Sequence, residues 1–174
     1  MTSLCVKAAM AEPTFVSDEL MQDLRRAALL DVPVLISAPR LDDCEQLAAL
    51  IHRTSARGAT SFFKLSCGAF APASLEAALF GEDGAAGLLE RADGGTLLLG
   101  QVDAMSVEVQ HRLQEFLESR EIRRAGARQP HAIANVRLIA ATNSNLFEQV
   151  QRRRFEPGLF YRLNVIHLAY FSST

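Results

Sequence analysis

A chain that handles phosphates needs positive charge on a glycine-rich turn. In a G-x-x-x-x-G-K-[ST] loop the glycines let backbone N–H groups close around the phosphates, and the lysine neutralises them. This chain has only two lysines, Lys7 and Lys64, and neither follows such a turn. Where the first apolar run gives way to an amphipathic stretch, the sequence reads SAPRLDDCEQL, residues 37–47. It contains no glycine, and Asp42 and Asp43 would repel a triphosphate. Cys44 sits where a helix begins, a place that can lower a thiol pKa. Asp42, Asp43 and Glu45 oppose that, so an inert small residue is the simpler expectation. His52, His111, His131 and His167 lack metal-ligand spacing. Ser37, Ser66 and Cys67 lack a G-x-S-x-G context, which leaves nucleophilic catalysis without support. Cys5, Cys44 and Cys67 fit neither a zinc site nor a disulfide framework and read as reduced thiols.

The elements that would position these residues follow from periodicity. Ser17 can cap a helix whose apolar residues recur at Leu20, Met21, Leu24, Ala27, Ala28 and Leu29. VPVLIS (32–37) is a short buried strand. Asp42 or Asp43 could cap a helix over 43–54. SFFKLSC (61–67) is a second strand, and Pro72 opens a helix through Leu79. FGEDGAAG (80–87) is a glycine-punctuated loop. GGTLLLGQV (94–102) is a third strand, apolar enough to be covered on both faces. Ser106 can cap a helix over 107–118. Residues 120–134 suggest a loop or hairpin, NVRLIAAT (135–142) a fourth strand, and Leu146–Arg153 a helix. Pro157 and Gly158 mark a turn before a last strand within 162–171. This alternation predicts a three-layer α/β sandwich around a mostly parallel five-stranded sheet. Residues 1–16 are expected to form an N-terminal arm, and 17–174 a single core.

Composition narrows the class of protein. Hydrophobic residues make up 49% and charged residues 22% of the 174, an ordinary globular balance for one domain. The formal net charge of −2 gives no basic field, so direct DNA binding is not expected. No apolar run is long enough to span a bilayer, and the N-terminus makes a poor signal peptide. A cytoplasmic location with no membrane contact is expected.

Several stretches carry a family resemblance, in order, over about three quarters of the chain. LEAALFG (75–81) resembles "ESELFG", and ERADGGTLLL (90–99) resembles "EQADGGTLFL". NVRLIAATN (135–143) is similar to "DVRVIAATN", and RRFEPGLFYRLNV (153–165) to "GRFREDLYYRLNV". VQHRLQEFLESREIRRAG (109–126) resembles the helix and hairpin between them. The chain thus resembles the AAA+ domain of sigma-54-dependent transcription activators, the bacterial enhancer-binding proteins. The resemblance implies a P-loop NTPase (AAA+) core.

It also shows what has changed. Ala38, Leu41 and Asp43 stand where that family has glycine, and Cys44 where it has lysine. Gly100 and Gln101 replace the Asp-Glu pair that holds Mg²⁺ and orients water. Asp103 could reach the region, although a turn or capping role before Ser106 is the plainer reading. The family's GAFTGA loop, which touches sigma-54, is absent after Phe80-Gly81. Thr142 and Asn143 match the γ-phosphate sensor. Arg154 and Arg162 match the arginines one subunit presents to its neighbour's nucleotide. The plainer alternative is that Arg154 belongs to a solvated basic run and Arg162 pairs locally. The residues after Leu168 leave no room for the helical lid or a helix-turn-helix domain. The expectation is a non-catalytic interaction or regulatory module without ATP or Mg²⁺, monomeric or dimeric rather than hexameric. Its partner would be an intact activator or a signalling protein. The alternatives are a nucleotide switch or weak ATPase with a non-standard site, and a decaying gene product without a dedicated role.

Overall fold

The computed structural model describes residues 17–82, 84–124 and 131–170; the expected arm at 1–16 lies outside them. In chain order the elements are α1 (Asp18–Leu29), β1 (Val34–Ser37), α2 (Leu41–Thr54), β2 (Phe62–Ser66), α3 (Pro72–Phe80), β3 (Gly81–Glu82), β4 (Ala85–Ala86), α4 (Leu88–Arg91), β5 (Thr96–Gly100), α5 (Val107–Ser119), β6 (Glu121–Ile122), β7 (Ala132–Ile133), β8 (Arg137–Thr142), α6 (Leu146–Gln151), α7 (Pro157–Leu163) and β9 (Ile166–Ala169). Short 3-10 turns follow β2 and β5.

The sheet has five strands in the order β2-β5-β8-β1-β9, every pair parallel. Side chains alternate across it, so each strand feeds two cores. Leu97, Leu99, Leu138 and Leu35 join the side chains of α3 to α7 on one face. Leu98, Ile139, Val34 and Ile36 join α1 and α2 on the other. This is the expected three-layer sandwich. The crossovers place the C-terminal ends of β1, β5 and β8 side by side, the usual ligand edge of such sheets.

Caps explain most of the helix starts. Ser17, Ser106 and Asn145 each accept a backbone N–H from the first turn of α1, α5 and α6. Three readings need correction. The loop at 80–87 contains a small hairpin, β3 paired with β4, in which Gly81 and Gly84 take positive φ. Pro157 and Gly158 do not make a turn: Pro157 is the first residue of α7, a position that does not need the missing N–H. Neither Asp42 nor Asp43 caps α2. The helix begins earlier, at Leu41, with Arg40 as an N-cap that makes no side-chain cap bond.

At the opposite, N-terminal edge of the sheet, Arg57 joins three segments. It donates to both carboxylate oxygens of Asp31 at 2.8 and 2.7 Å. It also donates to the carbonyls of Gly95 and Asn135 and to Asn135 Oδ1, at 2.9, 2.7 and 2.9 Å. Its hydrogen bond holds the Asp31 carboxyl below the usual range. Arg57→Ala strands these acceptors, and urea unfolding should show a loss of ~2–3 kcal/mol.

His52 on α2 is buried, stacked on Phe62 at 4.9 Å and 3.0 Å from Thr96 Oγ1. Burial lowers its pKa. Between its folded value and the unfolded value of about 6.5 the unfolded chain binds the extra proton. Stability is therefore full above that unfolded value and declines as pH falls toward the folded one. Unfolding midpoints measured between neutral and mildly acid pH should fall, and His52→Gln should flatten part of that fall.

Candidate functional site

The connection from β1 to α2 is short. Only Ala38, Pro39 and Arg40 separate Ser37 from Leu41. Leu41, Asp42 and Asp43 are already helical, with both aspartates in the first turn. Acidic side chains favour that end of the helix dipole. With no glycine to hold an open turn, the helix extends back through the segment that would otherwise wrap a phosphate.

Cys44 lies fully inside at 0% exposure. Its Sγ sits 3.9 Å from the Ile36 carbonyl and 4.0 Å from that of Thr142. Burial, reinforced by the charge of Asp43, raises its pKa to about 11. The thiol stays protonated at neutral pH and is a poor redox sensor. Cys67 is also free and buried, and burial raises its pKa to about 12.

Beside α2 a cleft of about 90 Å³ is lined by Leu41, Glu45, Lys64, Leu65, Ser66 and Gly100, among others. That is room for a few waters. Lys64, on β2, is drawn to the Glu45 carboxylate at 2.7 Å, so its charge is partnered. Gly100 ends β5 without a side chain, although a Cβ there would meet nothing nearer than the Leu65 carbonyl at 3.7 Å. Gln101 adopts the left-handed region at φ 52°, and its Oε1 accepts from the Ser66 hydroxyl at 2.7 Å. It ties the ends of β2 and β5 together.

Asp103 lies in the 3-10 turn that follows β5, and its side chain also reaches the strand edge. Its Oδ1 accepts from the Thr142 hydroxyl at 2.6 Å, and Thr142 Oγ1 lies 3.1 Å from Ser144 Oγ. Thr142 is buried, whereas Asn143 is exposed. Ala38, Leu41, Asp43, Cys44, Gly100, Gln101, Thr142 and Asn143 all lie at this one edge of the sheet. Lys64, Glu45, Ser66 and Asp103 join them. Among the described residues no group of three or more His, Cys, Asp and Glu could hold a metal ion.

The two arginines stand differently. Arg162, on α7, is bonded to Glu118 at 2.8 Å. Arg154 is exposed, and its side chain has no ion pair among the described residues. Its backbone is fixed. Gln110, fully buried on α5, donates to the carbonyls of Met105 and Arg154 at 2.8 and 3.3 Å and accepts from Glu156 N–H at 2.8 Å. Gln110→Leu leaves those groups unpaired and should cost ~1–3 kcal/mol in denaturant unfolding. No helix among the described residues is long and apolar enough to cross a membrane.

Comparisons with known proteins agree on the family. The chain is 38% identical over 159 residues to the Escherichia coli regulatory protein AtoC, covering 86% of this chain and 34% of AtoC. It is 37% identical over 163 residues to the Pseudomonas aeruginosa response regulator FleR, covering 88% of this chain and 34% of FleR. It thus spans about a third of the length of these relatives. NtrX from Brucella abortus, solved in complex with ADP, superposes with a TM-score of 0.85 at 28% identity, over 92% of this chain and 38% of NtrX. The P-loop NTPase domain of an Escherichia coli sigma-54 activator shares the fold at 17% identity, TM-score 0.63, over 90% of this chain and 94% of that one. The model of the sigma-54 interaction domain matches residues 11–169, and the chain belongs to that family.

Proposed function

We propose that this chain is a non-catalytic member of the family, acting in bacterial transcription control by protein contact rather than by hydrolysing ATP. The start of α2 carries this reading. Residues that should wrap a triphosphate are helical from Leu41, and Cys44 is buried where an ammonium group would have to face the ligand. Among the described residues the one lysine at the cleft, Lys64, is paired with Glu45. Gly100 and Gln101 supply neither a Mg²⁺ ligand nor a base. The residues present therefore do not fit ATP with Mg²⁺, and no hydrolytic step is derived through them. The function left to the fold is contact with an intact activator or a signalling protein, with Arg154 the leading contact residue. Direct DNA contact is no part of it.

A second reading is a nucleotide switch using a non-standard site. It is favoured by Lys64 at the cleft and by the Asp103–Thr142 pair. Calorimetric titration with Mg·ATP separates the two. No saturable heat is expected up to millimolar nucleotide. A micromolar dissociation constant would establish the second reading instead.

A further inference from the structure

A much larger hollow lies at the C-terminal ends of β1, β8 and β9, with a volume of about 840 Å³. That is the size of a small-molecule site. Leu35 forms part of its floor, and Leu146, Phe147 and Phe160 form its walls. The Phe147 and Phe160 rings are 6.0 Å apart and tilted by 50°, with Tyr161 edge-on behind Phe160 at 5.3 Å. Phe147 is left 50% exposed at the rim. The Phe147 and Phe160 rings touch each other and form one aromatic wall, against which a flat ring can stack or stand edge-on.

The polar groups on the lining are uncharged amides and hydroxyls, with one histidine. Among the described residues no Lys, Arg, Asp or Glu lines it. A phosphate or carboxylate placed there would lose hydration with no counter-charge to replace it. Ser37 Oγ lies 2.9 Å from His167 Nε2, and burial lowers the His167 pKa, so the ring is neutral at neutral pH. Ser37, His167, Asn143 and Ser144 give the lining hydrogen-bonding groups beside its aromatic wall.

We propose that this hollow binds an uncharged, largely aromatic small molecule with one hydrogen-bonding edge. Phe147 lies on α6 and Phe160 on α7, so the ligand would press on the two helices that flank Arg154. The inference stands apart from the protein-contact reading, because ligand binding is read on this chain alone.

Amide shifts of the isotope-labelled 174-residue chain test it, with indole as the neutral aromatic probe and benzoate as the anionic one. Indole should shift Leu35, Phe160 and His167 saturably, and benzoate should not. Ala169, exposed on β9, also lines the hollow. Ala169→Trp should fill it and weaken indole binding about tenfold or more, ~1.4 kcal/mol, with the unfolding midpoint retained. Phe147→Ser removes part of the aromatic wall from an exposed position and should weaken it too, which covers the case in which the tryptophan variant does not fold. The proposal is overturned if indole causes no saturable shift, if its shifts cluster instead at exposed Leu29 and Leu30, if benzoate binds as well as indole, or if Phe147→Ser leaves indole affinity unchanged.

Discussion

Cys44→Lys should destabilise the domain by ~3–5 kcal/mol instead of creating a phosphate site. The thiol is at 0% exposure, packed under α2 against the carbonyls of Ile36 and Thr142. A lysine side chain is far larger than the buried thiol it would replace, and the nearby Glu45 carboxylate is already paired with Lys64. The new ammonium group must either stay charged in a dry site or lose its proton at a depressed pKa, and both routes cost folding free energy. Cys44→Ala removes only a small apolar group and should cost ~1 kcal/mol. Denaturant midpoints of the two variants, taken side by side with calorimetry against Mg·ATP, give the comparison. A lysine variant as stable as the parent that also gained nucleotide affinity would mean the loop is still a phosphate loop, and the non-catalytic reading would fall. Restoring glycines at 38, 41 and 43 together with the lysine is the fairer rescue. It too should fail to hydrolyse ATP, because Gly100 and Gln101 still offer no carboxylate.

The sheet was legible because TLLLG and RLIAAT are short, continuous apolar runs buried on both faces, bounded by turn residues and too short for helices. The lack of a G-x-x-x-x-G-K-[ST] motif is read from residue types alone. Boundaries were less legible. The Asp42-Asp43 pair suits a cap and a first helical turn equally well, and only packing of Cys44 and Leu47 into the core decides between them. Pro157-Gly158 reads as punctuation, yet proline fits the first position of α7, whose Leu159, Phe160 and Leu163 are buried. The role of Asp103 was beyond sequence reasoning. Its bond to Thr142 exists because β5 and β8 pair with Gly100 opposite Ala141, which brings two distant segments to the same edge. The pairing of Lys64 was not legible for a related reason: its partner Glu45 is on a different element, facing the same small cleft.

Arg154 is where the protein-contact reading makes its sharpest demand. An arginine offered in trans to a neighbour's nucleotide can accelerate hydrolysis by about 10³-fold or more, and it needs no nucleotide site of its own. A copy of this chain inserted beside an intact activator subunit would then have two opposite effects. Its own cleft contributes no turnover, while its Arg154 can still complete the site next door. Replacing Arg154 with alanine should therefore make the chain a stronger inhibitor, because two adjacent sites fail instead of one. Arg162→Ala should do less, since that side chain is already engaged by Glu118, and Glu118→Gln should free it. The measurement is the ATPase rate of an intact family member at a fixed ratio of parent or variant chain, with complex formation followed by light scattering. Equal inhibition by the parent and Arg154→Ala would show that the chain joins the assembly without using this arginine. No complex and no change in rate would remove the activator as the partner altogether.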